Sequence, residues 1–258
     1  MTILFENLAA WRDERLHQRR AGLTLGFVPT MGALHDGHLS LVRRSRAEND
    51  RTVVSIFVNP TQFSDPADLA QYPRTLETDL EMLRNERTDF VLFPAATDLY
   101  GDGFRFRATE TELSKTREGL HRPGHFEGVL TIVLKLLHIA SADRAYFGEK
   151  DWQQLQLVRG MADAFFLPTA IVGCATVRES DGLALSSRNR RLRPADRQKA
   201  AQFFRILSTA ATPDAAARAL CESGFVVDYI DDWNGRRVGA VHLAGVRLID
   251  NVMLGESP

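Results

Sequence analysis

The sequence has little cysteine, no excess charge of either sign and no long apolar run, and each absence excludes a class of protein. Cys174 and Cys221 lack metal-ligand spacing, which predicts two buried, reduced thiols and no disulfide framework. With 32 basic and 33 acidic residues the net charge is −1, whereas a general nucleic-acid binder usually has a basic excess. No run approaches the roughly 18 apolar residues that span a bilayer. Because residues 1–11 also lack signal-peptide features, we predict a cytoplasmic protein that binds neither nucleic acid nor membrane.

What the sequence does have is an alternation of β-rich apolar runs with helical patterns. Strands are predicted at 23–28, 52–58, 90–93, 145–147 and 169–173, and helices at 76–87, 126–139 and 151–165. Apolar residues lie almost all round the helix at 126–139, which predicts that it is buried. The alternation predicts an α/β fold with a doubly wound parallel sheet and ligands at the carboxyl ends of its strands.

The pattern changes after Val177. Residues 181–193 are basic and loop-like, and they are followed by predicted helices at 194–207 and 213–221 and strands at 225–230 and 246–250. We therefore predict two domains, a nucleotide-binding domain at 1–176 and a smaller α+β domain at 177–258.

The most informative segment is the run PTMGALHDGH, from Pro29 to His38. It follows a predicted strand and precedes a helical pattern, and Gly32 and Gly37 allow close backbone approach. A helix N-terminus favours phosphate, and His35 and His38 are spaced so that both can face the same bound group. The run predicts a nucleotide site with a catalytic element, although a histidine pair can also simply cap a helix.

Two further segments lie where a doubly wound sheet would gather a binding site, and the first of them directly follows the predicted strand at 52–58. Gln62, in the run SIFVNPTQF, offers a donor and an acceptor without charge, but it can equally be a surface glutamine. The turn at 122–126, sequence RPGHF, starts the predicted buried helix. It is compatible with ligand contact and with helix capping alike.

The run FGEKDWQQ, residues 147–154, places a glycine and a lysine between a strand and a helix. Gly148 would let a ligand approach the backbone, and Lys150 can meet phosphate as a point charge. Gln154 lies on the same helix face as Asp151. The alternative is a strand-to-helix turn with exposed charges.

The loop after residue 176 carries two hydroxyls and an arginine, Ser186, Ser187 and Arg188, which suit a triphosphate whose charge shifts during a reaction. Arg190, Arg191 and Arg193 follow, and such basic runs are usually solvated. We assign the first three residues to the site and leave the later arginines out.

In these motifs the chain resembles the pantothenate synthetase (pantoate–β-alanine ligase) family of the HxGH nucleotidylyltransferase superfamily, whose nucleotide domain is Rossmann-like. The resemblance spans about residues 22–193 and rests on PTMGALHDGH, SIFVNPTQF, YPRT, RPGHFEGV, FGEKDWQQ and VRESDGLALSSRN in this order; RLIDN at 247–251 is similar to the family's end. It implies ATP-dependent joining of pantoate to β-alanine with Mg²⁺ through a pantoyl-adenylate. It also implies a homodimer and a C-terminal domain that acts as a lid.

The resemblance also implies roles for individual residues. His38 would be the catalytic histidine, with His35, Lys150 and Arg188 acting on the phosphates, and Gln62 and Gln154 would hold pantoate. No metal ligand is assigned, since Mg²⁺ would be held by phosphate oxygens and water. The implied ATP contacts are Pro29, Thr30, Met31, Gly32, Ala33, Leu34, His35, Asp36, Gly37, His38, Gly148, Glu149, Lys150, Asp151, Val177, Leu185, Ser186, Ser187 and Arg188.

The sequence departs from the family pattern at Leu185, often Met, and at Ser64, commonly Gly, and its C-terminal domain looks short. Two other functions compete with the ligase. A nucleotidylyltransferase shares the histidine element but leaves the adenylyl group on its product. An RNA-binding module derived from a tRNA synthetase core is disfavoured by the balanced charge.

Overall fold

We describe residues 1–255 of a computed structural model. In this part of the chain, contacts between residues divide the fold into two compact units. The first comprises Met1–Gly148 and Gln153–Cys174, and the second comprises Glu149–Trp152 and the chain from Ala175 onward. The short segment Glu149–Trp152 follows a strand of the first unit, ends at the first residue of the next helix and is assigned to the second unit. The assignment of residues 177–258 as a lid domain stays a prediction.

The described residues of the first unit contain a sheet of six parallel strands in the spatial order β1-β4-β3-β2-β5-β6. The strands are β1 (Ile3–Phe5), β2 (Leu25–Thr30), β3 (Arg51–Ile56), β4 (Phe90–Leu92), β5 (Arg144–Gly148) and β6 (Ala170–Cys174). Strand β2 lies between β3 and β5, where the strand order reverses direction. In such sheets, ligands bind outside the carboxyl ends of the strands at this reversal.

Helices cover both faces of the sheet. They are α1 (Leu8–Arg20), α2 (Asp36–Glu48), α3 (Pro66–Ala70), α4 (Leu76–Asn85), α5 (Ala96–Leu99), α6 (Glu118–His121), α7 (His125–Ala140) and α8 (Trp152–Ala164). On one face, Val28 and Val54 share a buried cluster with Val42 of α2 and Leu83 of α4. On the other, the Trp11 indole of α1 packs edge-on against Phe90 and donates to the carbonyl oxygen of Ile139 in α7 at 2.7 Å. The predicted doubly wound parallel sheet is confirmed, and α7 is largely buried as predicted.

The second unit is the predicted smaller α+β fold. It contains α9 (Pro194–Thr209), α10 (Pro213–Glu222), β7 (Val226–Trp233), β8 (Arg236–Leu243) and β9 (Val246–Met253). In the described chain its sheet is antiparallel, in the order β7-β8-β9. Phe203 and Leu207 of α9 and Leu220 of α10 pack with Val241 and Leu248 of the sheet to form its core.

Some features differ from the sequence-based expectations. The sequence did not predict β1, α1, β8 or the short helices α3, α5 and α6. Cys174 is buried as expected, whereas Cys221 lies exposed on α10, so the prediction of two buried thiols is wrong for Cys221. Among residues 1–255, no helix combines the length and the apolar character needed to cross a membrane.

Candidate active site

The histidine turn, residues 31–38, begins where central strand β2 ends at Thr30. Gly32 has a φ of 76°, a left-handed conformation that glycine adopts without a steric penalty. Gly37, by contrast, lies in the first turn of α2. His35 is the N-cap of α2, and its Nδ1 accepts a hydrogen bond from the amide of Gly37 at 3.2 Å. The turn thus has the predicted strand–turn–helix form at the reversal point of the sheet.

The two histidine rings of this turn lie against each other. Their centroids are 4.1 Å apart and their planes differ by 33°. Because Nδ1 of His35 accepts a hydrogen bond, the proton of the neutral ring is on Nε2, which is then the donor. Both side chains are half-buried. The prediction that His35 and His38 face one bound group is therefore compatible with the geometry, and their roles stay predictions.

Gln62 lies next to the histidine turn. Its Nε2 is 3.1 Å from Sδ of Met31, and its Oε1 accepts from Nδ2 of Asn59 at 3.0 Å. Its backbone carbonyl accepts from Nδ1 of His125 at 2.8 Å and from Nη2 of Arg122 at 3.3 Å. The turn at 122–126 thus supports the glutamine segment through direct hydrogen bonds.

Asn59 supports the candidate site, although little in its motif marked it for this role. It is 1% exposed and donates to Gln62 and to the carbonyl of Gly128, while its Oδ1 accepts from the hydroxyls of Tyr100 and Thr61. A Cβ on Gly128 would lie 2.3 Å from the carbonyl oxygen of Thr61, so α7 approaches this segment closely. The one signal in the sequence was a polar residue directly after a buried strand.

The two predicted pantoate ligands are not joined to each other. Gln154 is half-buried on α8, and no hydrogen bond within residues 1–255 links it to Gln62. Its neighbour Gln153 is buried and structural. Gln153 donates to the carbonyls of Leu113 and Thr116 and accepts from the amide of Glu118.

In the second unit, a 3₁₀ turn at Glu149–Asp151 carries Lys150. Nδ2 of Asn251 in β9 donates to the carbonyls of Glu149 at 2.8 Å and of Lys150 at 3.0 Å. The Glu149 carboxylate pairs with Arg236 at 2.6 Å, and that guanidinium lies over the Trp152 ring. The C-terminal sheet therefore fixes the backbone on which Lys150 is carried. Gly148, which precedes this turn, would have open space around a Cβ among the described residues.

The predicted triphosphate loop is a hairpin followed by a 3₁₀ helix. The amide of Leu185 donates to the carbonyl of Val177 at 3.0 Å, which brings these two predicted ATP contacts together. Ser186 caps the 3₁₀ helix Ser187–Arg191, because its Oγ accepts from the amide of Arg188 at 3.2 Å. The Ser186 hydroxyl, one of the two predicted to contact the triphosphate, thus has a structural role as a helix cap.

The hairpin and the 3₁₀ turn at Glu149–Asp151, called the lysine turn below, are both hydrogen-bonded to strand β9. Arg178 donates to both carboxylate oxygens of Asp250, at 2.7 and 2.9 Å, and to the carbonyl of Asn251 at 3.0 Å. Burial raises the pKa of the Asp250 carboxyl even though the two bonds from Arg178 oppose this shift. Adjacent residues of β9 thus hold the segments that carry Lys150 and Arg188.

A parallel strand, a turn with two stacked histidines and a helix N-terminus together define a nucleotide-binding α/β enzyme. A family model described as pantoate-beta-alanine ligase matches residues 3–253. The chain belongs to the pantoate–β-alanine ligase family. The predicted function and enzyme class are confirmed at this level, and the nucleotidylyltransferase alternative is not favoured.

Relatives and solved structures agree with this assignment. The chain is 49% identical over 245 residues to a pantothenate synthetase of Bdellovibrio bacteriovorus, covering 95% of each chain. It is 49% identical over 252 residues to one of Coxiella burnetii, covering 98% of this chain and 97% of that one. The ligase of Francisella tularensis, solved in complex with β-γ ATP and β-alanine, superposes with a TM-score of 0.93 at 39% identity and 98% coverage of both chains. The C-terminal domain is therefore not short beside these relatives, contrary to the expectation.

Proposed function

We propose that the chain condenses pantoate with β-alanine, converting ATP to AMP and pyrophosphate through a pantoyl-adenylate. The observation that carries this proposal is the stacked pair His35–His38 at the start of α2, beside Gln62. The ligand-bound ligase of Francisella tularensis supports ATP and β-alanine as substrates.

In the first step, a carboxylate oxygen of pantoate attacks the α-phosphorus of ATP. A P–O bond forms to pantoate, the bond from the α-phosphorus to the bridging oxygen breaks, and pyrophosphate leaves with the electron pair. Catalysis of such a transfer is mainly positioning and charge stabilisation. His38 and the Nε2 donor of His35 stabilise charge on the phosphoryl oxygens. Lys150 and Arg188 neutralise the remaining phosphates.

The predicted ATP contacts of the histidine turn need one refinement. The amides of Ala33 and Leu34 both donate to the carboxylate of Asp79. A contact of these two residues with ATP, which stays a prediction, therefore has to use other atoms. The remaining predicted contacts are retained in the proposal without change.

Gln62 and Gln154 hold pantoate through neutral amides. An arginine on the pantoate carboxylate would bind it well but would withdraw charge from the attacking oxygen. A carboxamide fixes the substrate by hydrogen bonds and leaves the nucleophile its charge. The Asn59 bond to Oε1 of Gln62 orients this amide.

In the second step, the amine of β-alanine attacks the carboxyl carbon of the mixed anhydride. A C–N bond forms, the C–O bond to the phosphate breaks, and AMP leaves while the amine loses a proton. Exclusion of water protects the anhydride at this stage. We propose that residues 177–258 supply this protection as a lid.

Mg²⁺ is proposed as a partner of ATP rather than as a resident ion. Among the described residues there is no group of three or more His, Cys, Asp or Glu side chains that could hold a metal. Mg²⁺ commonly binds phosphate oxygens and water, and we propose that the triphosphate of ATP supplies its ligands here. Bound there, it would neutralise charge on the triphosphate.

We also propose that the chain acts in the cytoplasm as a homodimer. The resemblance to the family supports both statements. Light scattering of the purified chain at several concentrations measures the assembly directly, and a mass equal to one 28.9 kDa chain throughout would contradict the dimer.

The reaction is tested by omitting each substrate in turn. With ATP and pantoate alone, the enzyme should release about one pyrophosphate per site and then stall. Addition of β-alanine should start continuous release of AMP and pantothenate. A product that retains AMP would instead indicate a nucleotidylyltransferase.

Replacing Gln62 or Gln154 with alanine should weaken pantoate binding more than ATP binding. Each change removes one neutral hydrogen-bonding partner, which costs roughly 0.5–1.5 kcal/mol, about two- to tenfold in Kd. Calorimetric titration with each substrate separately measures the difference. Gln198→Ala, an exposed change on α9, is the control. Equal losses for both substrates would remove these glutamines from the pantoate pocket.

A further inference from the structure

Asp79 is a buried carboxylate in the first turn of α4 that accepts hydrogen bonds from the histidine turn. It is 1% exposed. Its Oδ1 accepts from the amide of Leu34 at 2.8 Å, and its Oδ2 accepts from the amide of Ala33 at 2.9 Å. Burying a carboxylate is unfavourable unless it is hydrogen-bonded. The two bonds to the histidine turn offset that cost.

The residue that precedes α4, Thr75, helps to orient this carboxylate. Thr75 is the N-cap residue, a position where a threonine normally accepts from a backbone amide of the first turn. Here its side chain makes no such cap. Its hydroxyl donates instead to Oδ2 of Asp79 at 3.2 Å. Helix α4 therefore lacks a side-chain cap from Thr75, and the Asp79 carboxylate has an additional hydrogen bond from the Thr75 hydroxyl.

The backbone that Asp79 holds is in an unfavourable conformation. Ala33 has a φ of 51°, and such a conformation in a non-glycine residue persists only where the surroundings impose it. The preceding Gly32 has no Cβ, and a Cβ there would lie 3.0 Å from Oδ2 of Asp79. Two successive left-handed residues thus turn the amides of Ala33 and Leu34 toward one carboxylate.

This part of the turn is packed on one side and borders open space on the other: Leu34 is buried in the core cluster with Val28 and Val54. A cavity of about 440 Å³ lies beside it, lined by Met31, Gly32, Thr75 and Asp79 together with mostly apolar side chains from the ends of β3 and β4. Side chains beside a cavity of this size have room to shift. The hydrogen bonds of Asp79 therefore restrain the backbone at Ala33 and Leu34 in addition to the packing of the Leu34 side chain.

We propose that Asp79 is a positioning residue for adenylate formation. It imposes the backbone at Ala33 and Leu34, which places His35 at the N-cap of α2 and keeps its ring stacked on that of His38. The effect on catalysis rests on the proposed function, whereas the effect on the histidine rings does not.

The test compares three variants. Asp79→Asn keeps the size of the side chain but offers one acceptor oxygen to two amide donors, with an NH₂ group facing the second. Thr75→Val removes only the hydroxyl that anchors the carboxylate. Glu77→Gln removes an exposed carboxylate from the same helical turn and is the matched control.

Single-turnover release of pyrophosphate is the first measurement. Asp79→Asn should slow it about 10- to 100-fold, because small misplacements of catalytic groups cost this much. Thr75→Val should slow it about two- to tenfold, as expected for one lost hydrogen bond. The KM for pantoate and the reaction of β-alanine with supplied pantoyl-adenylate should stay within about twofold of the unmodified enzyme. Glu77→Gln should leave every value unchanged.

Histidine ring spectra give a second measurement that needs no activity. In ¹⁵N–¹H long-range NMR spectra of the seven histidines, the signals of His35 and His38 should shift in Asp79→Asn and Thr75→Val but not in Glu77→Gln. His35 should be the Nε2–H tautomer in the unmodified enzyme. If Asp79→Asn does not fold, Thr75→Val decides the question by the same two measurements.

Three results would overturn the proposal: unchanged ring signals, an unchanged rate of pyrophosphate release in folded Asp79→Asn, or equal losses in both half-reactions. The last result would mean that Asp79 only stabilises the fold. Failure of the unmodified enzyme to release pyrophosphate from ATP and pantoate would contradict the proposed function instead. The ring spectra would then still decide whether Asp79 positions the histidines.

Discussion

Replacing His38 with alanine should slow adenylate formation about 10²- to 10⁴-fold, the range for losing one donor or acid in a transition state. The side chain is half-buried in the first turn of α2, against the ring of His35. His38 is not part of the buried apolar cluster around α2, so the variant should fold with nearly the same thermal midpoint. Pyrophosphate release in a single turnover, with ATP and pantoate saturating, measures the loss.

His38 is a cleaner target than His35, because His35 also caps α2 through Nδ1. Alanine at position 35 would remove the helix cap and the proposed phosphate donor together. The matched control for His38 is His138→Ala, which removes an exposed histidine from the last turn of α7. Pyrophosphate release at the unmodified rate in His38→Ala would show that this histidine takes no part in the chemistry.

Replacing Arg188 with alanine should slow adenylate formation about 10²- to 10³-fold while changing ATP affinity only slightly. Charge accumulates on pyrophosphate as it leaves, so a cation at this stage contributes to the transition state more than to the ground state. The reaction of β-alanine with supplied pantoyl-adenylate should be nearly unaffected, because pyrophosphate is then absent. Rapid-quench measurement of the two half-reactions separates these effects.

Arg190→Ala is the control for Arg188→Ala, since it removes an exposed arginine from the same 3₁₀ helix. We expect it to behave as the unmodified enzyme, in agreement with the interpretation of the later arginines as a solvated run. If Arg188→Ala slowed both half-reactions equally, the loop would act as a general cover, and a specific role on the phosphates would have to be abandoned.

Elements with a strong local signal were predictable from the sequence. The apolar run at 52–58 and the helix at 126–139 identify themselves by composition and periodicity, and the structure places β3 and α7 there. Strand β1 is only three residues long, and Ile3 and Leu4 are partly exposed. In β8, Arg236, Arg237 and Gly239 interrupt the apolar pattern, and the strand forms because β7 and β9 pair with it on both sides.

The same distinction applies to the candidate site. The histidine turn is encoded within ten residues, so its form followed from its sequence. The hydrogen bonds that support this turn could not be predicted in the same way, because Asp79 is 46 residues away from Ala33 along the chain. The hydrogen bonds from Arg178 to Asp250 likewise join residues 72 positions apart. A polar residue whose partner is this distant looks like any other helix or strand residue until the fold is known.

The lysine turn acquires its partner late in protein synthesis. Asn251, which donates to the carbonyls of Glu149 and Lys150, is translated 101 residues after Lys150. At about 5–20 residues per second, roughly 5–20 seconds separate the two on the ribosome. Once β6, which ends at Cys174, has also been translated, a nascent chain can carry the complete parallel sheet while the turn at Lys150 lacks this support. A ribosome stalled between Cys174 and Asn251 would therefore display a formed histidine turn and a turn at Lys150 that lacks its C-terminal hydrogen bonds.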